Sequence, residues 1–329
     1  MTYLEAILRI YNLHGRRDNK FKARIKILVR AVGPDAFAAM VEKEWLNVRD
    51  SASHLPAEEI ERARMFFPEP RYLRGLDDIE AMAPINALRG EHREFGNWLS
   101  HNVQRHKVPG YRAVTLSLKF TGVPPGDLTD GQLEIIADLA DRYSFGEVRT
   151  THNQNMVLAD VPASQLFELW QQLKQAGFAT ANVGTLTDII CCPGGDFCSL
   201  ANAKSIPIAE AIQREFDDLD YVYDLGPIEL NISGCMNACG HHHIGNIGVL
   251  GVDKKGEEFY QVQLGGNSGY NAALGEVLGP SFSREDMPQV IRKIINVFIK
   301  NREGEEEFID TFTRIGMTPF KESVYAKAH

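Results

Sequence analysis

Cysteine is scarce in this sequence and confined to one region. Five cysteines occur among 329 residues, and all of them lie within the stretch 187–252. Disulfide-rich secreted domains use cysteines as cross-links throughout the chain, so this distribution argues against a disulfide scaffold and favours a reducing cytoplasm. The clustering indicates one site whose chemistry depends on thiols.

Long apolar runs and an excess of positive charge are also missing. No run of about 18 apolar residues occurs, which argues against a membrane-spanning helix. Met1 leads directly into charged residues rather than into the apolar core of a signal peptide. The net charge is −9, whereas nucleic-acid-binding domains usually present a basic surface. We therefore expect a soluble cytoplasmic protein that has neither nucleic acid nor a membrane as its partner.

The cysteines form two pairs with different spacing. Cys192 and Cys198 enclose five residues, and Cys235 and Cys239 enclose three. Structural zinc sites usually use pairs separated by two to four residues, so the second pair suits zinc but the first is too wide. An iron–sulfur cluster bound by four thiolates accommodates the wider pair, and glycines such as Gly194 let the backbone approach a bulky cofactor. The spacing favours a cluster, with zinc as the alternative.

The residues around both pairs resemble a known family. The pairs stand in CPGGDFCSLA and in NISGCMNACGHHHIG, which are similar to the siroheme and [4Fe-4S] site of the sulfite and nitrite reductase family. The resemblance implies that four cysteines bind the cluster and that Cys239 also bridges to the siroheme iron, which gives it a catalytic role. The implied ligands are Cys192, Cys198, Cys235 and Cys239. Cys191, one place before the motif, is expected to be a small buried residue.

Two further segments resemble family segments that lie near siroheme. Siroheme carries several carboxylates, which proteins pair with Arg and Lys. The basic run GRRDNKFKARIK implies siroheme contacts for Arg24 and Lys26, and VRTTHNQNMVL implies them for Arg149, Asn153 and Asn155. A solvated helix or strand face is the alternative in both segments.

Three consecutive histidines, residues 241–243, directly follow Cys239. Neighbouring side chains cannot all face the same way, so we interpret them as polar packing around the site rather than as metal ligands.

The chain is long enough for two or three units with cores of their own. Residues 1–105 combine helical periodicity up to residue 49 with a connector of scattered Pro, Gly and charge. Residues 106–178 show a strand–helix–strand–helix order that matches the family's ferredoxin-like half-domain. Residues 179–329 hold the cysteines, several alternating strands and a long helix, and form the expected mixed-sheet siroheme and [4Fe-4S] domain. The predicted fold class is α+β.

Three local patterns in the half-domain make sharper predictions. Alternation predicts a strand over 114–120 with Lys119 on its exposed face. Thr129 followed by Gln132 predicts a capping box at a helix N-terminus. The segment EVRTTHNQNMVLAD is interpreted as one strand, although five consecutive polar residues, 151–155, do not alternate, so that some must face the buried or ligand side.

The resemblance implies a function and also an incomplete site. In the family, siroheme coupled to the cluster reduces sulfite to sulfide or nitrite to ammonia with six electrons. A full family chain carries two repeats, the first of which supplies most cations that hold siroheme and substrate, and this sequence shows one repeat. We therefore expect the C-terminal cofactor-binding portion of an assimilatory sulfite reductase. A nitrite reductase and a non-catalytic iron–sulfur electron-transfer protein are the alternatives. The expected partners are sulfite or nitrite, a flavoprotein or ferredoxin as electron donor, and a separate chain that supplies the first repeat.

Overall fold

Helices make up the first of two units, residues 1–71. The computed structural model describes residues 1–326, and the helices of this unit are α1 (Thr2–His14), α2 (Ile25–Val32), α3 (Pro34–Val48) and α4 (Ala57–Arg64). α1 and α3 share a small buried core formed by Ala6, Ile10, Val41 and Val48. α2 ends at Gly33, whose φ of 89° suits a glycine, and Pro34 begins α3. The predicted helices of residues 3–49 are confirmed.

Residues 50–105 differ from the predicted surface connector. Two helices, α5 (Asp78–Glu91) and α6 (Arg93–Asn102), open the second unit, and the side chain of Phe95 is fully buried. The sequence pattern is weak here because Pro84 lies inside α5 and because α6 is too short for a long apolar stripe. The boundary between the two units therefore falls inside the stretch predicted as a connector.

The predicted ferredoxin-like half-domain is built on a four-stranded sheet in the order β1-β2-β4-β3. Its strands are β1 (Val103–Arg105), β2 (Tyr111–Leu116), β3 (Arg149–Thr150) and β4 (Met156–Pro162). The pairing is antiparallel throughout. Helix α7 (Asp130–Tyr143) joins β2 to β3, and α8 (Leu166–Ala176) follows β4. The capping box of α7 is confirmed, because Thr129 and Gln132 each accept the other's backbone N–H.

One predicted strand of the half-domain is in fact two strands and a turn. Residues 151–155 reverse the chain between β3 and β4, and the N–H of Thr151 donates to the carbonyl of Asn155 at 2.9 Å. A turn accommodates consecutive polar residues because it has no alternating buried face. The strand predicted over 114–120 also stops early, at Leu116, because Asn155 Oδ1 accepts the N–H of Leu118 at 3.0 Å in place of a neighbouring strand.

The second sheet is mixed, as predicted, and has the order β5-β6-β7-β8-β9. Its strands are β5 (Ile190–Cys191), β6 (Leu230–Ser233), β7 (Ile247–Lys254), β8 (Glu257–Leu264) and β9 (Glu276–Val277). The first three run parallel and the last two pair antiparallel. Parallel strands end at the same edge of a sheet, so the carboxyl ends of β5 and β6 lie side by side.

Helices cover this sheet and bury a large apolar core with it. They are α10 (Ile206–Glu215), α11 (Leu219–Leu225), α12 (Met287–Asn301), α13 (Phe308–Ile315) and α14 (Thr318–Tyr325). A single helical turn, α9 (Gly194–Phe197), precedes them. Pro207 stands in the first turn of α10, where a proline costs no helix hydrogen bond. Across residues 1–326, every helix falls short of the length and apolarity that crossing a membrane requires.

Candidate functional site

The two cysteine pairs meet because β5 and β6 are parallel neighbours. Cys191 is paired with Ile232, and the N–H of Cys192 donates to the carbonyl of Ile232 at 3.1 Å. The chain leaves both strands at the same edge, at Cys192 from β5 and shortly before Cys235 from β6. Both cysteines are buried, each with 8% of its surface exposed. The pairing brings cysteine segments that are distant in sequence to one place.

Two glycines allow these segments to touch through their backbones. A Cβ on Gly234 would lie 2.6 Å from the carbonyl oxygen of Ala203 and 2.8 Å from the Cα of Gly194. A Cβ on Gly194 would lie 2.4 Å from the backbone nitrogen of Ser205. Gly194 also has a left-handed φ of 56°. Contacts this close leave no room for a side chain, so glycine is required at both positions.

A backbone N–H donor and a hydroxyl group lie next to the sulfur of Cys192. Its Sγ accepts the backbone N–H of Gly234 at 3.1 Å and lies 3.5 Å from the hydroxyl of Ser205. Ser205 is fully buried. Donors of this kind stabilise thiolates, and around a cluster they tune its reduction potential. Cys192 therefore stands in surroundings suited to a thiolate ligand.

The second cysteine of each pair is more exposed. Cys198 follows the single turn of α9, and its N–H donates to the carbonyl of Gly194 at 2.9 Å. Cys239 is exposed and lies in a tight turn after β6. The next residue, Gly240, donates its N–H to Ser233 Oγ at 3.1 Å, and a Cβ there would meet a backbone carbonyl 2.0 Å away. The turn therefore has a defined backbone, and Cys239 lies at its surface.

The donor set is of the chemical type that an iron–sulfur cluster takes, since all four expected ligands are cysteines. A structural zinc ion draws four ligands around one atom at about 2–2.3 Å. A [4Fe-4S] cube instead distributes four thiolates over its four irons, so that its ligands stand further apart. All five cysteines are free of disulfide bonds, which leaves the thiols available as ligands.

Gln154 is a residue of this site that the sequence alone does not identify. It lies in the turn between β3 and β4 with a left-handed φ of 58°. Its Nε2 donates to the carbonyl of Cys191 at 2.7 Å, and its Oε1 accepts the N–H of Cys191 at 2.8 Å. These bonds join the half-domain to β5 immediately before Cys192. The sequence feature that could have identified it is the unbroken polar run 151–155, which forms a turn that contacts β5.

A buried ion pair supports the same turn. The side chain of Lys119, predicted to be exposed, is fully buried; its Nζ donates to the carbonyl of Asn153 at 2.6 Å and lies 3.6 Å from Asp188 Oδ1. Burial lowers the pKa of Lys119, and the carboxylate of Asp188 opposes that shift. Asp188 Oδ1 also accepts Asn155 Nδ2 at 3.0 Å. One polar network therefore holds the turn, the end of β2 and the segment before β5.

The three half-domain residues predicted to contact siroheme have different surroundings. Arg149 is exposed and forms an ion pair with Glu147. Asn153 is half-buried, and its carbonyl accepts the buried lysine. Asn155 is only 2% exposed, and both ends of its side-chain amide are hydrogen-bonded within the protein. The side chains of Arg149 and Asn153 are reachable from solvent, while Asn155 orders the turn. Siroheme contact stays a prediction for all three.

The two basic residues predicted to contact siroheme belong to the first unit. Arg24 precedes α2, is half-buried, and donates from Nη1 to the carbonyl of Ala23 at 3.0 Å. Lys26 lies in the first turn of α2 and is exposed. Their contact with siroheme also stays a prediction.

The three histidines after Cys239 face different directions. His241 is exposed with a left-handed φ of 53°, whereas His242 is 5% exposed. The rings of His242 and His243 meet edge to face, with centroids 5.3 Å apart. This arrangement agrees with polar packing around the turn.

Two family models match the chain. The model described as the nitrite and sulphite reductase 4Fe-4S domain matches residues 1–48 and 183–329, which is more than half of the chain. The model described as the nitrite/sulfite reductase ferredoxin-like half domain matches residues 106–176. The first match includes all five cysteines, and the second includes the turn that carries Gln154.

Curated relatives carry names from the same family. The ferredoxin–nitrite reductase of Synechococcus elongatus is 34% identical over 298 residues, which cover 88% of this chain and 49% of that protein. A sulfite reductase (ferredoxin) of Mycolicibacterium paratuberculosis is 25% identical over 316 residues, which cover 92% of this chain and 49% of that protein. The chain therefore spans about half the length of the curated relatives it matches.

Solved structures agree with these matches. The NirA protein of Mycobacterium tuberculosis superposes with a TM-score of 0.64 at 25% identity, covering 97% of this chain and 52% of that one. A dissimilatory sulfite reductase I shares the fold, with a TM-score of 0.55 at 13% identity. The family matches indicate a [4Fe-4S] cluster and siroheme as cofactors, and the four-thiolate set fits the cluster. The chain belongs to the nitrite and sulfite reductase family.

Proposed function

We propose that this chain is the cofactor-binding portion of a reductase that converts sulfite to sulfide, or nitrite to ammonia, with six electrons. The observation that carries the proposal is the parallel pairing of β5 and β6, which brings Cys192 and Cys235 to one edge, where the backbone N–H of Gly234 donates to the Cys192 sulfur. Membership in a family named for a 4Fe-4S domain supports it. When bound, the coupled siroheme and cluster supply single electrons to a small oxyanion.

The chain's own residues hold the two cofactors in this proposal. The cluster ligands are Cys192, Cys198, Cys235 and Cys239. Cys239, which is exposed, would also hold the siroheme iron through its thiolate. Arg149, Arg24 and Lys26 pair with siroheme carboxylates, because charge-assisted bonds to carboxylates are the strongest that these side chains make. Asn153 and Asn155 add neutral contacts to siroheme, and Asn155 also orders the turn in which both asparagines stand.

Sulfite and nitrite are both candidate substrates. The resemblance of the stretch CGHHHIG favours sulfite, whereas the 34% identity to a nitrite reductase favours nitrite. The chain aligns with about half of the length of its relatives. We therefore propose that a complementary stretch, on the same or a separate polypeptide, supplies most of the cations that bind the anion. The names of these relatives support ferredoxin as the electron donor, with a flavoprotein as the alternative. Free cysteines suit the cytoplasmic location that we also propose.

A second candidate function is electron transfer without catalysis. A chain that held the cluster without substrate-binding cations would pass electrons and reduce nothing. Both candidates share the same four ligands. They differ in whether siroheme is bound and whether an anion is turned over.

The test is an optical spectrum of protein purified without oxygen from cells able to make siroheme, with iron and sulfide assayed on the same sample. Siroheme bands with about five irons and four labile sulfides per chain would support the reductase, and sulfite and nitrite turnover should then be compared. A four-iron cluster without siroheme, and no turnover, would support electron transfer. Zinc without iron would overturn both.

A further inference from the structure

The outward-facing backbone of β5 is occupied by one side chain. β5 is the outer strand of its sheet, with β6 on one side only. Cys192 directs its N–H toward β6, whereas the N–H and carbonyl of Cys191 point to the open edge. Gln154 pairs with both groups, at 2.8 and 2.7 Å. An amide that donates and accepts in this way takes the place of a neighbouring strand.

The turn that presents Gln154 is itself fixed in place. Its left-handed φ of 58° is uncommon for a residue with a side chain, so the surroundings must hold it. The buried ammonium of Lys119 donates to the carbonyl of Asn153 at 2.6 Å and lies 3.4 Å from the carbonyl of Gln154. The next residue, Asn155, accepts the N–H of Leu118 through its Oδ1. The backbone that presents the Gln154 amide is therefore held by hydrogen bonds within the chain.

We propose that Gln154 is a positioning residue for the iron–sulfur site. It fixes the peptide unit of Cys191, and through the next bond it fixes the direction in which the sulfur of Cys192 meets an iron. The half-domain contributes no cysteine to the cluster, and this contact is the route by which it acts on the cluster. The inference rests on the proposed function, since it assigns a role at that same site. A change at Gln154 then alters how tightly the cluster is held, and its potential, while all four ligands remain.

The test compares Gln154→Ala and Gln154→Glu with wild-type protein in the full, cluster-loaded chain. Gln154→Ala loses both bonds to Cys191. Gln154→Glu keeps the acceptor for the Cys191 N–H, loses the donor, and places a negative charge beside the cluster. The matched control is Gln172→Ala, because Gln172 on α8 donates to the hydroxyl of Tyr143 at 2.8 Å within the same half-domain. The readouts are the rate of iron release to a chelator, the midpoint potential of the cluster, and the urea midpoint of the chain.

Gln154→Ala is expected to release iron about 10- to 100-fold faster than wild type, as loss of an outer-shell partner usually does. Gln154→Glu is expected to have a lower midpoint potential than Gln154→Ala, because the added charge disfavours the reduced cluster. Gln172→Ala should match wild type in both readouts. If Gln154→Ala does not fold, Gln154→Glu against wild type decides by the same measurements.

The outcomes separate this inference from the proposed function. Wild-type protein with four irons, together with Gln154 variants that match it in iron release and potential, would overturn the positioning role and leave the proposed function standing. A fall in the urea midpoint without a change in potential would also overturn it, because that is the signature of a purely structural contact. Wild-type protein that binds no iron would overturn both.

Discussion

The backbone N–H of Gly234 donates a hydrogen bond to Cys192 Sγ at 3.1 Å. Gly234 immediately precedes Cys235, so this bond links the two cysteine segments directly. It exists because Gly234 has no side chain, since a Cβ would lie 2.6 Å from the carbonyl oxygen of Ala203. A single glycine therefore provides a donor to one ligand and the backbone path to another.

Gly234→Ala is expected to destabilise the chain and to lower its iron content. The added Cβ collides with backbone atoms that cannot rotate away, and overpacking of this kind costs about 1–3 kcal/mol. Urea unfolding and iron per chain are the measurements. Gly131→Ala is the control, because Gly131 lies in α7 with nothing within 4 Å of its Cβ position, and alanine there should be neutral or slightly stabilising. Equal stability and iron content in the two variants would contradict the close contact.

The fifth cysteine provides a control for the ligand set. Cys191→Ala is expected to keep its cluster, whereas Cys198→Ala and Cys235→Ala are expected to lose it. Burial raises the pKa of Cys191, so this residue stays a neutral thiol. Iron and labile sulfide per chain after anaerobic purification check the expectation. A Cys191→Ala protein that folds normally and holds no iron would show that the ligands have been assigned wrongly.

Spacing and local pattern were sufficient for part of this fold. The capping box of Thr129 and Gln132 depends on residues close in sequence, and the structure confirms it. The strands β6 and β8 lie in stretches where apolar and polar residues alternate in the sequence. The two cysteine pairs, C-x₅-C and C-x₃-C, favour a cluster because cluster ligands lie in short segments. In each case the information lies within a few residues.

Other features depend on contacts between distant segments. Lys119 alternates with apolar residues and is therefore predicted to be exposed, but Asp188, far along the chain, pairs with it in the interior. Gln154 stands in a run of polar residues that is equally compatible with a solvated strand. Its role becomes visible only when the turn is placed against Cys191. A single sequence cannot supply these partners, because nothing local marks them.

The pH dependence of stability tests the ion pair between Asp78, at the start of α5, and Arg112 on β2. The guanidinium of Arg112 donates to both carboxylate oxygens of Asp78, at 2.8 and 3.0 Å, and with the N–H of Gly110 it lowers the pKa of Asp78 to about 2 from an ordinary 3.8. A carboxylate with a lowered pKa stabilises the fold fully above its unfolded value and loses that contribution as pH falls through the folded value. Stability from this pair should therefore disappear between pH 3.8 and about 2.

Arg112→Met is expected to abolish this loss of stability at acid pH. The loss amounts to about 1 kcal/mol in the free energy of unfolding, because Asp78 is partly exposed. Urea unfolding of cluster-free wild-type and variant chains from pH 5 to pH 2 measures it. Arg142→Met is the control, because its ion pair with Glu168 is about half exposed. A wild-type pH profile that Arg112→Met leaves unchanged would contradict the assignment.

Breaking the buried pair of Lys119 and Asp188 is expected to cause the largest loss in the free energy of unfolding. Lys119→Met leaves the Asp188 carboxylate buried without its cation, and breaking a buried pair from one side costs about 3–5 kcal/mol. Adding Asp188→Asn removes the uncompensated charge, so the double variant should recover part of the loss rather than add to it. Urea unfolding of the wild type, both single variants and the double variant measures the coupling free energy. Strictly additive effects would mean that the two side chains do not interact, and that the turn carrying Gln154 is held by its hydrogen bonds alone.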